Sequence, residues 1–305
     1  MRNVLLSISG PTGIGKTAWA VRLASHYQTE ILSADSRQFY SEMRIGTAVP
    51  SAEELSQARH HFIGHKSIRD AYSVGDYQRD ALELLQSLYN AFDLVIMAGG
   101  SGLYLDAVTR GLDEFPPVKP GIREALNRKV REEGMEALQE QLRELDPAYY
   151  QTVDLGNPHR LIRALEVCLS SGQAFSSFLG NRQAPDFFFH LPIGFTAPRE
   201  VIYRRIEERV DEMMAAGLEE EARRLHPMHG LNALQTVGYQ ELFAYLEGRW
   251  DLPKAVSEIK KNTRRFAKRQ ETWFRKNTEI RWFPFDTSLE VITKYVDEKR
   301  SELKK

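Results

Sequence analysis

Eight residues near the start of the chain have the types and spacing of a phosphate-binding loop (P-loop). They run Gly10-Pro11-Thr12-Gly13-Ile14-Gly15-Lys16-Thr17, between an apolar run at residues 4–9 and a helical pattern at 18–24. A Gly-x-x-x-x-Gly-Lys-Thr loop binds phosphate in this strand, loop and helix context. Its backbone N–H groups converge on the anion, and the helix dipole adds positive potential. The sequence predicts a site for a diphosphate or triphosphate; the alternative is a glycine-rich turn without a ligand.

Two side chains of this loop have chemistry beyond the backbone. Lys16 would reach the terminal phosphates as a point charge, and the Thr17 hydroxyl would complete the coordination shell of a magnesium ion. Mg²⁺ is therefore the expected cofactor, with Thr17 as its protein ligand.

Two further apolar runs, at residues 30–34 and 94–98, also end in polar or glycine-rich turns. The first leads into Asp35-Ser36-Arg37-Gln38 and the second into Gly99-Gly100-Ser101-Gly102. The carboxyl ends of parallel strands share one edge of a sheet, so these turns and the P-loop should face one cleft. Asp35 would there hold magnesium or act as a general base. The alternative is a turn cap, and the sequence does not decide between them.

The third run is informative for the acid that it lacks. P-loop NTPases usually end a strand with a carboxylate that helps to hold the metal, whereas this run ends in Ala98-Gly99-Gly100 and its Asp93 lies at the wrong end. This disfavours an ordinary ATPase. It favours a transferase that uses the P-loop as a pyrophosphate cradle.

Arg209 lies on an apolar helix face with Ile202, Ile206 and Met213. A buried guanidinium needs an anion. Three interpretations stay open: an ion pair with a neighbouring carboxylate, a side chain that reaches solvent at the edge of the face, or a cation that closes on the phosphates of a ligand.

Composition and patterning place these residues on an α/β fold. The chain has 305 residues, 42% hydrophobic, with one cysteine, Cys168, which excludes a disulfide framework and is expected to be buried. Strands alternating with helices predict a P-loop NTPase-like parallel sheet flanked by helices. Helices are expected over 122–145, 159–169, 199–225, 236–248 and 253–276, with strands at 187–195 and 280–285.

A proline-rich stretch at residues 115–120 predicts a domain boundary. We expect a core domain over 1–113 and 186–305, and an inserted small helical domain over 114–185. Asn157 should cap a helix of the insert, with Pro158 at its first position.

The predicted helix at 253–276 carries a concentrated positive charge in a chain of net charge −1. From Lys254 to Arg281 there are ten Lys or Arg and three acidic residues, and Lys261, Arg264, Arg265 and Lys268 share one helical face with interleaved aromatics. The face is either simply solvated or binds RNA phosphates.

Taken together, the motifs resemble those of the tRNA dimethylallyltransferases, in the order of that family and over nearly the whole chain. The matching stretches are Gly10 to Thr17, Ser33-Ala34-Asp35-Ser36-Arg37-Gln38-Phe39-Tyr40, Ile45-Gly46-Thr47-Ala48, Gly99-Gly100-Ser101-Gly102-Leu103-Tyr104, Asn157-Pro158-His159-Arg160-Leu161-Ile162-Arg163-Ala164-Leu165-Glu166-Val167, Val237-Gly238-Tyr239 and Ala267-Lys268-Arg269-Gln270-x-Thr272-Trp273-Phe274-Arg275.

The resemblance implies transfer of a dimethylallyl group from its diphosphate to N6 of the adenosine next to the anticodon of tRNA, on the 3′ side. It implies that Asp35 is the general base and that Thr17 and Lys16 manage the magnesium-bound pyrophosphate. It also implies that Arg209 stabilises the charge developing on pyrophosphate and that Ser101 approaches the reacting centre. The residues expected to contact tRNA are Asp35, Ser36, Arg37, Gln38, Ser101, Arg123, Pro158, His159, Arg160, Leu161, Ile162, Gln235, Thr236, Val237, Gly238, Tyr239 and Gln240. His159 and Gln173 depart from the family pattern.

Two other functions compete with this one. A P-loop kinase acting on a small molecule would turn over ATP, and a non-catalytic RNA-binding protein would use a nucleotide as a switch. No targeting peptide or membrane-spanning run is evident. We expect a cytoplasmic monomer whose partners are the tRNA anticodon stem-loop and dimethylallyl diphosphate, with no membrane partner.

Overall fold

A computed structural model describes residues 3–303, in which a six-stranded parallel sheet is flanked by helices. The expected α/β fold class is confirmed. The strand order is β3-β2-β4-β1-β5-β6. The strands are β1 Asn3–Ser9, β2 Ile31–Ser33, β3 His60–His61, β4 Leu94–Ala98, β5 Phe188–Thr196 and β6 Arg281–Pro284.

The register places the ends of three neighbouring strands side by side. Ala98, the last residue of β4, pairs with Ile8 of β1 and with Ser33 of β2. The P-loop, Asp35 and the Gly99–Ser101 turn therefore begin at one edge of the sheet. The central strands are held by burial on both faces: Leu6 and Ile8 pack into one core cluster and Leu5 into the other.

Thirteen α-helices occur in residues 3–303. They are α1 Lys16–Tyr27, α2 Ala52–Gln57, α3 Val74–Leu88, α4 Gly102–Arg110, α5 Ile122–Glu133, α6 Met135–Leu145, α7 Pro147–Tyr150, α8 Pro158–Ser171, α9 Arg199–Ala215, α10 Leu218–Leu225, α11 Tyr239–Leu246, α12 Leu252–Phe274 and α13 Leu289–Glu302. No helix in this described part is long and apolar enough to cross a membrane.

Two of the predicted helices are each divided at a glycine. The pattern at 122–145 breaks at Gly134, with φ 86°, and the pattern at 199–225 breaks at Gly217, with φ 96°. Left-handed backbone cannot continue a right-handed helix, and glycine adopts it at little cost. By contrast, α8 begins as predicted: the Asn157 side chain accepts a hydrogen bond from the Arg160 N–H, and Pro158 is the first helical residue.

The chain divides into two compact units. Unit 1 includes the sheet and comprises the chain up to Thr109 and from Pro185 onward, and unit 2 is Arg110–Ala184. Unit 2 has its own core, in which Leu138, Leu142, Leu161 and Leu165 are fully buried. Cys168 is buried in this core, as expected.

Candidate active site

A cavity of about 1060 Å³ in unit 1 is lined by the P-loop and by the turns that follow β2 and β4. Of the P-loop residues, Thr12, Gly13, Gly15, Lys16 and Thr17 line it, whereas Gly10, Pro11 and Ile14 are buried outside the lining. Further walls come from α9, α12 and the segment before α11. The predicted residues that line these other parts are Asp35, Ser36, Arg37, Gln38, Ser101, Arg209, Gln235, Thr236, Val237, Gly238 and Gln240.

The P-loop lysine is directed at its own loop. Lys16 Nζ donates to the carbonyl oxygens of Gly10 at 2.9 Å and Pro11 at 3.0 Å. The pKa of Lys16 is lowered to about 8, chiefly by burial; the charge of Asp35 opposes this shift and that of Arg209 adds to it. The N-terminus of α1 has neither a side-chain cap nor an acidic residue in its first turn. Its N–H groups and the Lys16 ammonium are therefore available to an anion.

Arg209 contacts the P-loop directly. Its Nη1 donates to Thr12 Oγ1 at 3.0 Å, and it makes no ion pair with any carboxylate of residues 3–303. Burial lowers the pKa of Arg209, an effect that the charge of Asp35 opposes. Arg209 is therefore not ion-paired in this structure. Because a buried guanidinium needs an anion, its place beside the P-loop suits the phosphate of a ligand.

A second arginine of α9 reaches the same loop, and the sequence analysis missed it. Arg205 Nη1 donates to the Ile14 carbonyl at 3.1 Å. It lies four residues before Arg209, on the same helix face. The four-residue spacing between Arg205 and Arg209 could have indicated this from the sequence.

Asp35 is both a turn cap and an open carboxylate. Its Oδ1 accepts from the Arg37 N–H at 3.1 Å, whereas Oδ2 accepts no hydrogen bond from the described chain. Ser101 stabilises the same turn: its Oγ accepts from the Ser36 N–H at 3.0 Å and donates to Ser36 Oγ at 3.1 Å. One carboxylate oxygen thus fixes the turn and the other remains available for chemistry.

Two residues expected to contact tRNA have side chains committed within the protein. Gln38 Nε2 donates to the Thr47 and Ala48 carbonyls, at 3.2 and 3.1 Å. Arg37 Nη1 donates to the Asn232 and Ala233 carbonyls, both at 2.9 Å. These bonds shape the cavity wall.

Three residues expected to contact tRNA, Tyr239, Leu161 and Ile162, have buried side chains. Tyr239 is fully buried and donates its hydroxyl to Glu221 at 2.7 Å, so its side chain is a core group. Leu161 and Ile162 are buried in the core of unit 2, because they lie on the inner face of α8. The contacts of these residues with tRNA stay predictions. His159 and Arg160, in the first turn of α8, are exposed.

Arg123, another residue expected to contact tRNA, is paired within unit 2. Its Nε and Nη2 donate to the Glu166 carboxylate at 2.5 and 2.6 Å, which raises the pKa of Arg123. Glu166 is 2% exposed, so this pair offsets a buried charge.

The basic face of α12 is partly neutralised by acids that the sequence analysis did not pair with it. Arg264 pairs with Glu207 of α9 at 2.7 Å, and Lys261 pairs with Glu258 at 2.9 Å. Within residues 3–303, the Lys268 ammonium has no ion pair. The charge left for an RNA is smaller than the count of basic residues suggests.

Carboxylates and histidines do not form a metal site here: residues 3–303 contain no group of three or more His, Cys, Asp or Glu that could hold an ion. The Thr17 hydroxyl lines the cavity and makes no hydrogen bond within that range. One hydroxyl suits a magnesium ion that brings its other ligands from water and the phosphates of a substrate.

Comparisons with known proteins agree on one family. A family model described as IPP transferase matches residues 38–277. A tRNA dimethylallyltransferase of Christiangramia forsetii is 56% identical over 299 residues, covering 98% of this chain and 99% of the relative. The corresponding enzyme of Flavobacterium johnsoniae is 52% identical, covering 96% and 97%.

Solved structures show the same likeness. The tRNA isopentenylpyrophosphate transferase of Bacillus halodurans is 33% identical with a TM-score of 0.73, covering 100% of this chain and 99% of that one. A eukaryotic dimethylallyltransferase acting on tRNA has a TM-score of 0.78 at 20% identity, which is a likeness of fold.

Proposed function

This chain belongs to the IPP transferase family, and its relatives of 52–56% identity are tRNA dimethylallyltransferases. From that premise we propose its reaction. It is a prenyltransferase that moves a dimethylallyl group from dimethylallyl diphosphate to N6 of the adenosine 3′-adjacent to the anticodon of tRNA, releasing pyrophosphate. One observation supports the roles that we assign to the residues: the P-loop and the open carboxylate oxygen of Asp35 lie in the same cavity.

The adenine amine is a poor nucleophile, and in the RNA the base is stacked. The reaction therefore requires the base to become exposed and its amine to become reactive. The base must leave the stack to enter a pocket. Asp35 Oδ2 then accepts a proton from the N6 amine as the nitrogen lone pair forms a bond to C1 of the dimethylallyl group. The C1–O bond breaks, and its electron pair leaves with pyrophosphate.

The charge that develops on pyrophosphate falls to the P-loop and α9. Backbone N–H groups at the start of α1, the Lys16 ammonium and the Arg209 guanidinium would bind it. Thr17 would hold Mg²⁺, which when bound supplies further positive charge to the diphosphate. Ser101 maintains the Asp35 turn through Ser36.

A small-molecule kinase is the less favoured function. Strand β4 ends in Ala98 and continues into two glycines, and Asp93 lies at its opposite end, where its carbonyl accepts from the Val4 N–H. The acid with which a P-loop NTPase usually ends such a strand is therefore missing from the end of β4.

Within unit 1, contacts to tRNA are proposed for Ser36 and for the exposed parts of Gln235, Thr236 and Gln240, which line the cavity. In unit 2 they are proposed for His159 and Arg160, which are exposed. A cytoplasmic location, a monomeric state and dimethylallyl diphosphate as the donor stay predictions.

The decisive experiment follows radiolabel from dimethylallyl diphosphate into an anticodon stem-loop RNA in the presence of Mg²⁺. Label should enter the RNA, and should not enter a stem-loop in which guanosine replaces the target adenosine. Lys16→Met serves as the inactive control. Turnover of γ-labelled ATP without label from the prenyl donor in the RNA would assign a kinase instead.

A further inference from the structure

Gln270, near the C-terminal end of α12, bridges the two loops that the proposed reaction uses. Its Oε1 accepts from the Thr12 N–H at 2.7 Å, and its Nε2 donates to the Gly100 carbonyl at 2.9 Å. The residue is 5% exposed. A buried amide with both ends satisfied ties the two backbones together, because loss of either bond leaves a polar group unpaired.

Each end of this bridge continues to a group of the active site. Thr12 accepts the hydrogen bond of Arg209 through its hydroxyl. Gly100 precedes Ser101, which holds Ser36 and with it the Asp35 turn. A Cβ atom at Gly100 would lie 2.3 Å from Gln270 Nε2 and 3.6 Å from Asp35 Oδ2, so the two side chains lie close to the same glycine.

We infer that Gln270 is a positioning residue that fixes the distance between the P-loop and the Asp35 carboxylate. The inference rests on the proposed function. In that reaction the leaving pyrophosphate and the proton acceptor sit on either side of one reacting carbon and nitrogen, and small displacements cost large factors in rate. Gln270 acts on this spacing through the two loops, because both polar atoms of its side chain are bonded to their backbones.

Two variants separate the two hydrogen bonds. Gln270→Met keeps the length of the side chain and removes both bonds. Gln270→Glu, when ionised, still accepts from Thr12 but repels the Gly100 carbonyl; when protonated, it can accept from one and donate to the other. With the folded fraction followed by circular dichroism at each pH, a role in stability alone would not make transfer per folded molecule depend on the protonation of residue 270.

Thr29→Val is the matched control. Thr29 is 7% exposed, and its hydroxyl donates to the carbonyl of Leu94, the first residue of β4. Neither residue lines the cavity. This variant also loses a buried bond from a side chain to the backbone, but one that ends on β4 itself and not on the turn after it, so it reports the effect of lost stability.

Single-turnover transfer from labelled dimethylallyl diphosphate to the stem-loop should fall about 100-fold in Gln270→Met, while the Kd of the diphosphate and of the RNA change by less than about threefold. Thr29→Val should transfer at close to the wild-type rate. The rate of Gln270→Glu, divided by the wild-type rate at each pH, should rise as pH falls.

Transfer by folded Gln270→Met at the wild-type rate, or an equal loss in Thr29→Val, overturns the inference. If Gln270→Met does not fold, the pH ratio of Gln270→Glu decides, and a flat ratio overturns it. Wild-type protein without transfer activity would instead overturn the proposed function, so the two failures are distinguishable.

Discussion

At the scale of single residues, Asp35 has one carboxylate oxygen held by the Arg37 N–H and one without a hydrogen bond in the described chain. Asp35→Asn keeps the shape of the side chain and removes the proton acceptor. Single-turnover prenyl transfer should therefore fall by roughly 10²–10⁴-fold, with much less change in RNA affinity. Asp35→Glu should also be slow, because the added methylene moves the carboxylate out of line.

Circular dichroism and thermal melting must first show that both Asp35 variants are folded, since the lost turn cap alone would reduce activity. Transfer by folded Asp35→Asn at close to the wild-type rate would remove Asp35 from the chemistry. A bound water or the departing pyrophosphate would then be the proton acceptor to test.

Sequence reasoning found the residues of the site whose evidence is local. The P-loop, the Asp35 turn and the Asn157 cap depend on residues within a few positions of one another. Arg205, Gln270 and Glu221 were missed as site or support residues because their partners Ile14, Thr12 and Gly46 lie 191, 258 and 175 positions away. The spacing of Arg205 and Arg209 places both on one helix face, but the distant partner of a buried hydrogen bond of this kind has no signature in one sequence.

At the scale of elements, α10 holds the segment before α2 through one buried carboxylate. Glu221 is 2% exposed and accepts from the N–H groups of Arg44, Ile45 and Gly46, as well as from the Tyr239 hydroxyl. Gly46 in turn lines the cavity. This element therefore shapes the site from a distance.

Glu221→Ala should lower the free energy of unfolding by about 2–4 kcal/mol, because it leaves three backbone N–H groups without their acceptor. Formate should partly restore the thermal midpoint, since a small carboxylate fits the vacated N–H groups. Glu220→Ala, at an exposed neighbouring position, is the control and should change little. A Glu221→Ala protein as stable as wild type would show that water satisfies this segment.

The packing of α12 against α9 predicts which basic residues bind RNA. Lys268→Ala should flatten the dependence of log Kd on log salt by about one phosphate contact. Arg264→Ala should change the slope by less, because Glu207 already neutralises Arg264. Glu207→Gln should steepen it. Titrations of stem-loop RNA over a range of salt concentrations measure all three, and equal slopes for every variant would leave α12 as a solvated face.

Helix boundaries were predicted correctly where a capping residue marks the end of the helix. They were wrong where the apolar periodicity continues through a glycine that breaks the helix. Apolar periodicity runs across Gly134 and Gly217, so two helices were expected where the structure has four. Strand β3 was missed because two residues, His60 and His61, carry no periodic signal.

At the scale of the whole molecule, a net charge of −1 conceals where positive charge is free. Ion pairs between α9 and α12 and between Arg123 and Glu166 use up part of it. Global charge therefore does not steer this protein to RNA, and recognition must come from a few unpaired groups and from shape. The contributions of unit 1 and unit 2 to RNA affinity can therefore be measured separately.

Excision of unit 2 tests whether it is the part that contacts tRNA. Gly111 and Gln183 lie in contact, since a Cβ atom at Gly111 would meet the Gln183 carbonyl at 2.3 Å, so the chain enters and leaves the unit at neighbouring points. Replacing residues 112–182 with two glycines should leave the unit 1 cores and the P-loop intact. The variant should still bind pyrophosphate by calorimetry, and its affinity for the stem-loop should fall at least about tenfold.

The full-length double variant His159→Ala with Arg160→Ala isolates the exposed side chains of α8 from the loss of the unit. It should lose part of the same affinity, with a flatter salt dependence and an unchanged melting temperature, because neither side chain is buried. A cooperative melt must show that the excised protein is folded before its binding is compared. If it then binds the stem-loop as tightly as wild type, the RNA contacts lie in unit 1 alone, and the cavity rim and Lys268 would have to supply all of them.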